Sequence, residues 1–155
     1  LLILFLTLLS SCLGFLFFNW PKATIFMGDS GSIFLGYIFG ALIIYSTMTG
    51  EVHFFTWLIV FGYYLADTTT TTLIRILTVK NWYHSHRSHA YQNLARVLNS
   101  HFKITIGVFI YHLFWLLPLA IYSVLEPNYA LILVLLAYIP SITWSLKFGP
   151  FFSKD

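Results

Sequence analysis

The feature that most constrains this chain is the near absence of charge from about five apolar stretches, each roughly twenty residues long. They run from Leu1 to Phe18, Ser32 to Thr49, about Val52 to Leu77, Ile104 to Leu125 and Tyr129 to Phe148. Such stretches read as transmembrane helices, because a helix satisfies its own backbone hydrogen bonds where no water is present. Charged residues make up 8% of the chain, against about a quarter in a soluble domain. That is too little to clothe a water-facing surface, so lipid must be the solvent for much of the molecule. The expected fold is all-α, a polytopic transmembrane helix bundle of about five helices forming one domain over residues 1–155. Pro118 and Pro140 should kink the last two helices. Trp20, Trp57, Trp82, Tyr83, Tyr129 and Trp144 lie near the ends of apolar runs, where interfacial aromatic belts form.

The few charges orient the bundle. Arg75, Lys80, Arg87, Arg96 and Lys103 gather around the segment between the third and fourth stretches. Lys22 lies between the first and second, and Lys147 and Lys154 lie beyond the fifth. The turns near Glu51 and Glu126 carry no Lys or Arg. Five crossings place every basic segment on one side, and the positive-inside rule makes that side cytoplasmic. The polar segments 19–32 and 79–103 then share a membrane face. The first stretch lacks a basic n-region and a cleavage site, so it is not read as a signal peptide. It reads as a helix entered partway along, and the chain as the C-terminal part of something longer. Cys12, the lone cysteine, reads as a small packing residue. Thr68 to Thr72 continues a helical pattern to the cytoplasmic end of the third helix, since threonine hydroxyls bond back to helix carbonyls.

Three segments carry the candidate chemistry. In Phe26-Met27-Gly28-Asp29-Ser30-Gly31-Ser32, glycines permit close approach of a ligand. Asp29 or Ser30 can cap the next helix, whose N-terminus attracts phosphate. The Asp29 carboxylate could hold Mg2+, or the segment could be a plain helix cap. Asp67 is an ionisable residue inside an apolar stretch, which marks a functional or a paired site; Arg75 or a threonine hydroxyl is the structural alternative. His84, His86 and His89 with Arg87 form a dense cluster. They could bind a transition metal, hold phosphate oxygens, move a proton near neutral pH, or line a basic loop facing anionic lipid. His53, His101 and His112 are isolated and read as interfacial or packing residues.

In this order the motifs resemble the C-terminal half of the polyprenyl-phosphate N-acetylhexosamine-1-phosphate transferases, glycosyltransferase family 4. This family includes undecaprenyl-phosphate GlcNAc-1-phosphate transferases and phospho-MurNAc-pentapeptide translocases. Residues 26–32 are similar to the family's F-M-G-D-x-G-S loop, Asp67 to the acidic helix position before the histidine loop, and residues 86–92 to its H-R-S-H-x-Y-Q form. The resemblance spans nearly the whole chain. It implies transfer of a sugar 1-phosphate from a UDP-N-acetyl sugar to a polyprenyl phosphate, with release of UMP, starting a cell-envelope glycan such as an O-antigen or wall polymer. It implies Mg2+, or Mn2+ in its place, on Asp29. His89, with Arg87 and His86, would act on the nucleotide diphosphate. Gly28, Ser30, Gly31 and His84 would contact substrate, and Asp67 would be an orienting acid. The implied setting is the bacterial inner membrane, with the active face cytoplasmic, no nucleic-acid partner, and a homodimer left open. A transporter or a membrane scaffold is the alternative class. Two departures matter. Ala90 and Tyr91 stand where other members carry further histidines, which argues against the MurNAc-pentapeptide substrate. The family's adjacent aspartate pair is not among these residues, so this piece alone is expected to be inactive. The sugar stays open.

Overall fold

The computed structural model describes residues 2–20, 23–78, 81–84 and 87–152. His86, Lys22, Lys80 and Lys154, singled out above, lie outside them. The chain is helical, with no strand among the described residues. It divides into two units, Leu1–Leu42 and Ile43–Asp155, and each is considered by itself.

The first unit holds α1 (Leu2–Asn19) and most of α2 (Gly28–Met48). No α1 residue is buried, and leucines and phenylalanines stand exposed along its length. Such a helix is stable only where its apolar surface meets lipid or a partner. The end of α1 is closed locally. The Thr24 amide (3.0 Å) and hydroxyl (2.6 Å) both donate to the Phe18 carbonyl, and the Asn19 amide donates to Ile25 (2.9 Å). The Thr24 bonds satisfy a carbonyl that the helix end leaves without a partner, and the Asn19 side chain holds the loop that follows. Gly28 then opens α2 at φ +63°, a backbone conformation that favours glycine.

The second unit takes in the end of α2, then α3 (Phe54–Val60), α4 (Gly62–Thr78), α5 (Ala90–Val97), α6 (His101–Tyr111), α7 (Leu117–Leu125) and α8 (Ala130–Phe148). Among the described residues, four segments are long and apolar enough to cross a membrane: Leu2–Asn19, Gly28–Met48, His101–Leu125 and Pro127–Phe152. The expected third span, 52–77, is instead two helices, α3 and α4, parted at Phe61. There Gly62 is buried beside Tyr138 and Leu116, the nearest atoms to its Cβ position lying 3.5 and 3.6 Å away. The threonine run is helical as expected, and the Thr68 hydroxyl bonds back to the Tyr64 carbonyl. Pro118 is met by a wider turn just before it. Residues His112–Leu116 form a π turn in which the Leu117 amide reaches the His112 carbonyl, so the ladder widens where proline removes a donor.

α8 is the spine of this unit and packs against α3, α4, α5 and α7. Its buried face reads Ala130, Leu133, Ala137, Ser141, Ser145. Small residues at this spacing let helices approach closely, which is how helices associate without a water-driven hydrophobic effect. Ile59, Tyr63, Leu116 and Ala120 complete the core around it. Buried hydroxyls join neighbouring helices: Ser123 to Thr56 (2.9 Å), Tyr111 to Ser141 (2.8 Å), and the Trp57 indole to Ser46 (2.8 Å). Such bonds are each worth about 0.6 kcal/mol in membrane bundles.

Candidate active site

The histidine segment is organised by one buried carboxylate. Asp67, on α4, has 4% of its surface exposed. One of its oxygens accepts from His89 Nδ1 at 3.0 Å. The other accepts from the Ser145 hydroxyl at 2.9 Å and the Ala90 amide at 3.3 Å. Three donors from two other stretches of chain thus satisfy a group that would otherwise be expensive to bury. The contact requires a proton on Nδ1, and a neutral imidazole then carries its basic lone pair on Nε2. The His89 side chain keeps 18% exposure. It is fixed in tautomer and direction while part of the ring stays accessible.

The local chain explains why His89 stands there. It caps α5, and its own amide donates to Gln92 Oε1 (3.4 Å). At the other end Asn99, at φ +49°, reverses the chain, with the Ser100 amide bonded to the Ala95 carbonyl (3.1 Å). Ser100 then caps α6 by accepting from the Lys103 amide (3.3 Å). Asn93 ties α5 to α8, its amide donating to the carbonyls of Phe148 (2.7 Å) and Gly149 (2.8 Å). Those carbonyls end α8 and need outside donors.

Arg75 is not the partner of Asp67. Its guanidinium donates to the carbonyls of Trp82 (3.0 Å) and His84 (3.3 Å), shaping the turn before the histidines. The His84 ring is exposed and stacks on Tyr83, centroids 4.8 Å apart. The Arg87 side chain is exposed, and its carbonyl accepts from Arg96 (2.9 Å). His112 lies among the rings of Tyr63, Tyr64 and Tyr111 and bonds the Val108 carbonyl at 2.8 Å. That matches the packing role expected of it.

In the first unit, α2 begins at Gly28, upstream of both residues expected to cap it. Asp29 and Ser30 therefore sit in its first turn, exposed. The carboxylate makes no hydrogen bond or ion pair among the described residues. The helix dipole favours a negative group there. Gly31 lies beneath the Met27 side chain, which an added Cβ would displace. Asp29 offers one hard oxygen donor of the kind Mg2+ takes. Among the described residues no group of three His, Cys, Asp or Glu side chains is placed to hold a metal ion. A lone exposed carboxylate suits Mg2+ only in the role of a single protein ligand.

Two groups in the second unit were missed from the sequence. Ser145 carries a signal in hindsight, because Ala137, Ser141 and Ser145 recur every fourth residue in an apolar helix. Asn93 carries none beyond its place in a short amphipathic segment.

Residues 1–47 match the family described as glycosyl transferase family 4. The probable undecaprenyl-phosphate N-acetylglucosaminyl 1-phosphate transferase of Bacillus subtilis (strain 168) is 37% identical over 99 residues, 62% of this chain and 27% of that protein. The phospho-N-acetylmuramoyl-pentapeptide-transferase of Chlamydia muridarum (strain MoPn / Nigg) is 58% identical over 38 residues, 24% of this chain and 11% of the relative. That of Rickettsia canadensis (strain McKiel) is 44% identical over 66 residues, 43% and 17% respectively. No solved structure gives a significant match. The chain is thus similar to glycosyl transferase family 4 over part of its length. These matches cover less of it than the motif resemblance does, and the chain spans about a quarter or less of the length of these relatives. Its apolar helices and its bacterial relatives together point to a multi-pass bacterial membrane protein.

Proposed function

We propose that this chain belongs to an enzyme that transfers an N-acetylhexosamine 1-phosphate from a UDP-sugar to polyprenyl phosphate, releasing UMP and starting a cell-envelope glycan. The observation that carries this reading is the buried Asp67 carboxylate holding His89 Nδ1 at 3.0 Å. A membrane scaffold has no need of an imidazole held in one tautomer with part of its ring left accessible. A transporter would place its ionisable groups in broken helices near the midplane, whereas His89 heads a short helix in the polar segment between α4 and α6.

In this reading His89 presents Nε2 to the diphosphate, as a donor when the ring is protonated and as a base when it is neutral. Arg87 adds positive charge, and the motif resemblance assigns further substrate contacts to His84, His86, Gly28, Ser30 and Gly31. Phosphoryl transfer depends mainly on positioning and on neutralising charge, and these residues supply both. Bound Mg2+, or Mn2+, would contribute charge neutralisation at the phosphate oxygens, and Asp29 would hold it. An apolar groove of ≈ 670 Å³ is lined by Tyr91, Tyr64, Ile104 and Phe109. Tyr91 packs near-parallel to the His89 ring, centroids 6.0 Å apart, so an isoprenoid chain in this groove would end near the imidazole. The face concerned is the cytoplasmic one.

The test is UMP release from UDP-GlcNAc and related UDP-sugars by membranes holding the full-length protein, with added undecaprenyl phosphate and Mg2+. Release that needs lipid phosphate, metal and Asp29 supports the transferase. Well-inserted protein that releases no UMP from any UDP-sugar would return the chain to the transporter or scaffold class.

A further inference from the structure

A second groove lies between α6 and α8, next to the first and sharing Tyr63, Ile104 and Val108 with it. It measures ≈ 380 Å³ and is lined by Lys103, Gly107 and Tyr111 from α6 and by Pro140, Ser141 and Trp144 from α8, among others. The volume falls in the range of small-ligand sites. Lys103, Gly107 and Tyr111 follow one another at four-residue spacing, so they share a helix face. The Tyr111 hydroxyl joins the two helices by bonding α8 at the Ala137 carbonyl (2.9 Å) and Ser141 (2.8 Å). Lys103, in the first turn of α6, stands toward the other end and makes no ion pair among the described residues. Lys147 follows Trp144 by three residues on α8, one turn nearer the helix end. The groove thus has mostly apolar walls, with Tyr111 at one end and a cation toward the other beside an interfacial tryptophan.

Gly107 sharpens the case. Glycine inside a helix costs about 1 kcal/mol against alanine, and often a tight contact requires it. Here nothing lies within 4 Å of the position a Cβ would occupy, and the backbone angle is ordinary. The missing side chain serves no packing neighbour among the described residues, and Gly107 lines the groove. None of Asp67, His84, Arg87 or His89 lines this groove, so a phosphate at Lys103 would not rest on the proposed reacting groups.

We infer that this groove binds one anionic glycerophospholipid, its acyl chain between α6 and α8 and its phosphate at Lys103. A basic pocket between membrane helices is the kind of feature that captures anionic headgroups. The lipid would brace α8 just before the residues, Ser145 and Phe148, that hold Asp67 and Asn93. This inference does not depend on the transferase reading.

The experiment is native mass spectrometry of the full-length protein stripped of lipid. Dioleoyl-phosphatidylglycerol, dioleoyl-phosphatidylcholine and undecaprenyl phosphate are added in turn, with thermal unfolding as a check on folding. Wild type should retain one phosphatidylglycerol in at least about tenfold preference to phosphatidylcholine. Lys103→Gln should remove that preference. Gly107→Leu, which fills the groove and suits a helix, should abolish the retained adduct without lowering the unfolding temperature of the lipid-free protein. Equal retention of the neutral lipid, or wild-type retention in a folded Gly107→Leu protein, would overturn the assignment. So would displacement of phosphatidylglycerol by stoichiometric undecaprenyl phosphate, which would give the groove to that lipid instead.

Discussion

The two carboxylates at the heart of this chain differ in almost every physical respect. Asp29 is exposed in the first turn of α2 and bonds to nothing among the described residues. Asp67 is buried and meets three donors. The first is available to an incoming ligand. The second is committed to holding other protein groups in place. Loss of Asp29 should therefore appear in activity and leave the fold alone, whereas loss of Asp67 should appear in both.

The largest effect that would sharpen this contrast is expected from Asp29→Asn. UMP release should fall by about a hundredfold or more, on the order of 2.7 kcal/mol of transition-state stabilisation, with unfolding unchanged. A parallel loss of thermal stability would break the comparison. Asp67→Ala comes next. It leaves the Ser145 hydroxyl, the Ala90 amide and the His89 ring short of an acceptor, each costing about 1–3 kcal/mol where no substitute is found. The unfolding midpoint in detergent should drop clearly; an unchanged midpoint would mean that the buried network contributes little. His89→Ala should lower UMP release by at least about tenfold, or about 1.4 kcal/mol, and wild-type turnover would remove His89 from the reaction. Ser145→Ala is the mildest, about 1 kcal/mol of stability, and should reduce turnover only modestly. If Ser145→Ala matched Asp67→Ala in either assay, the hydroxyl and not the imidazole would be the chief partner of the carboxylate.

The sequence displayed some of this arrangement and concealed the rest for identifiable reasons. Long uncharged runs disclose membrane helices because the bilayer tolerates little else. They do not disclose where one run breaks, and the division at Phe61 carries no proline or polar cluster to announce it. Asp67 was legible as costly, but its partner was not. Arg75, eight residues on, looked like a natural mate by charge, yet the carboxylate is met by His89 and Ser145, 22 and 78 residues away. Pairings over such separations are set by how α4, α5 and α8 pack, and single-sequence spacing holds no record of that. Asp29 does belong to a helix start, but it lies within the first turn of α2 and not at its cap.

The bond between Ser145 and Asp67 also has a bearing on time. Translation proceeds at about 5–20 residues per second, so the carboxylate precedes the hydroxyl by roughly 4–16 s. Throughout that interval a nascent chain carries an acidic group in α4 without one of its eventual donors, and without the Asn93 clasp that fixes α5 to α8. The histidine pocket is therefore a late product of biogenesis. A chain stalled before α8 would hold Asp67 and His89 but lack Ser145, leaving a polar, incompletely bonded helix open to quality-control proteases.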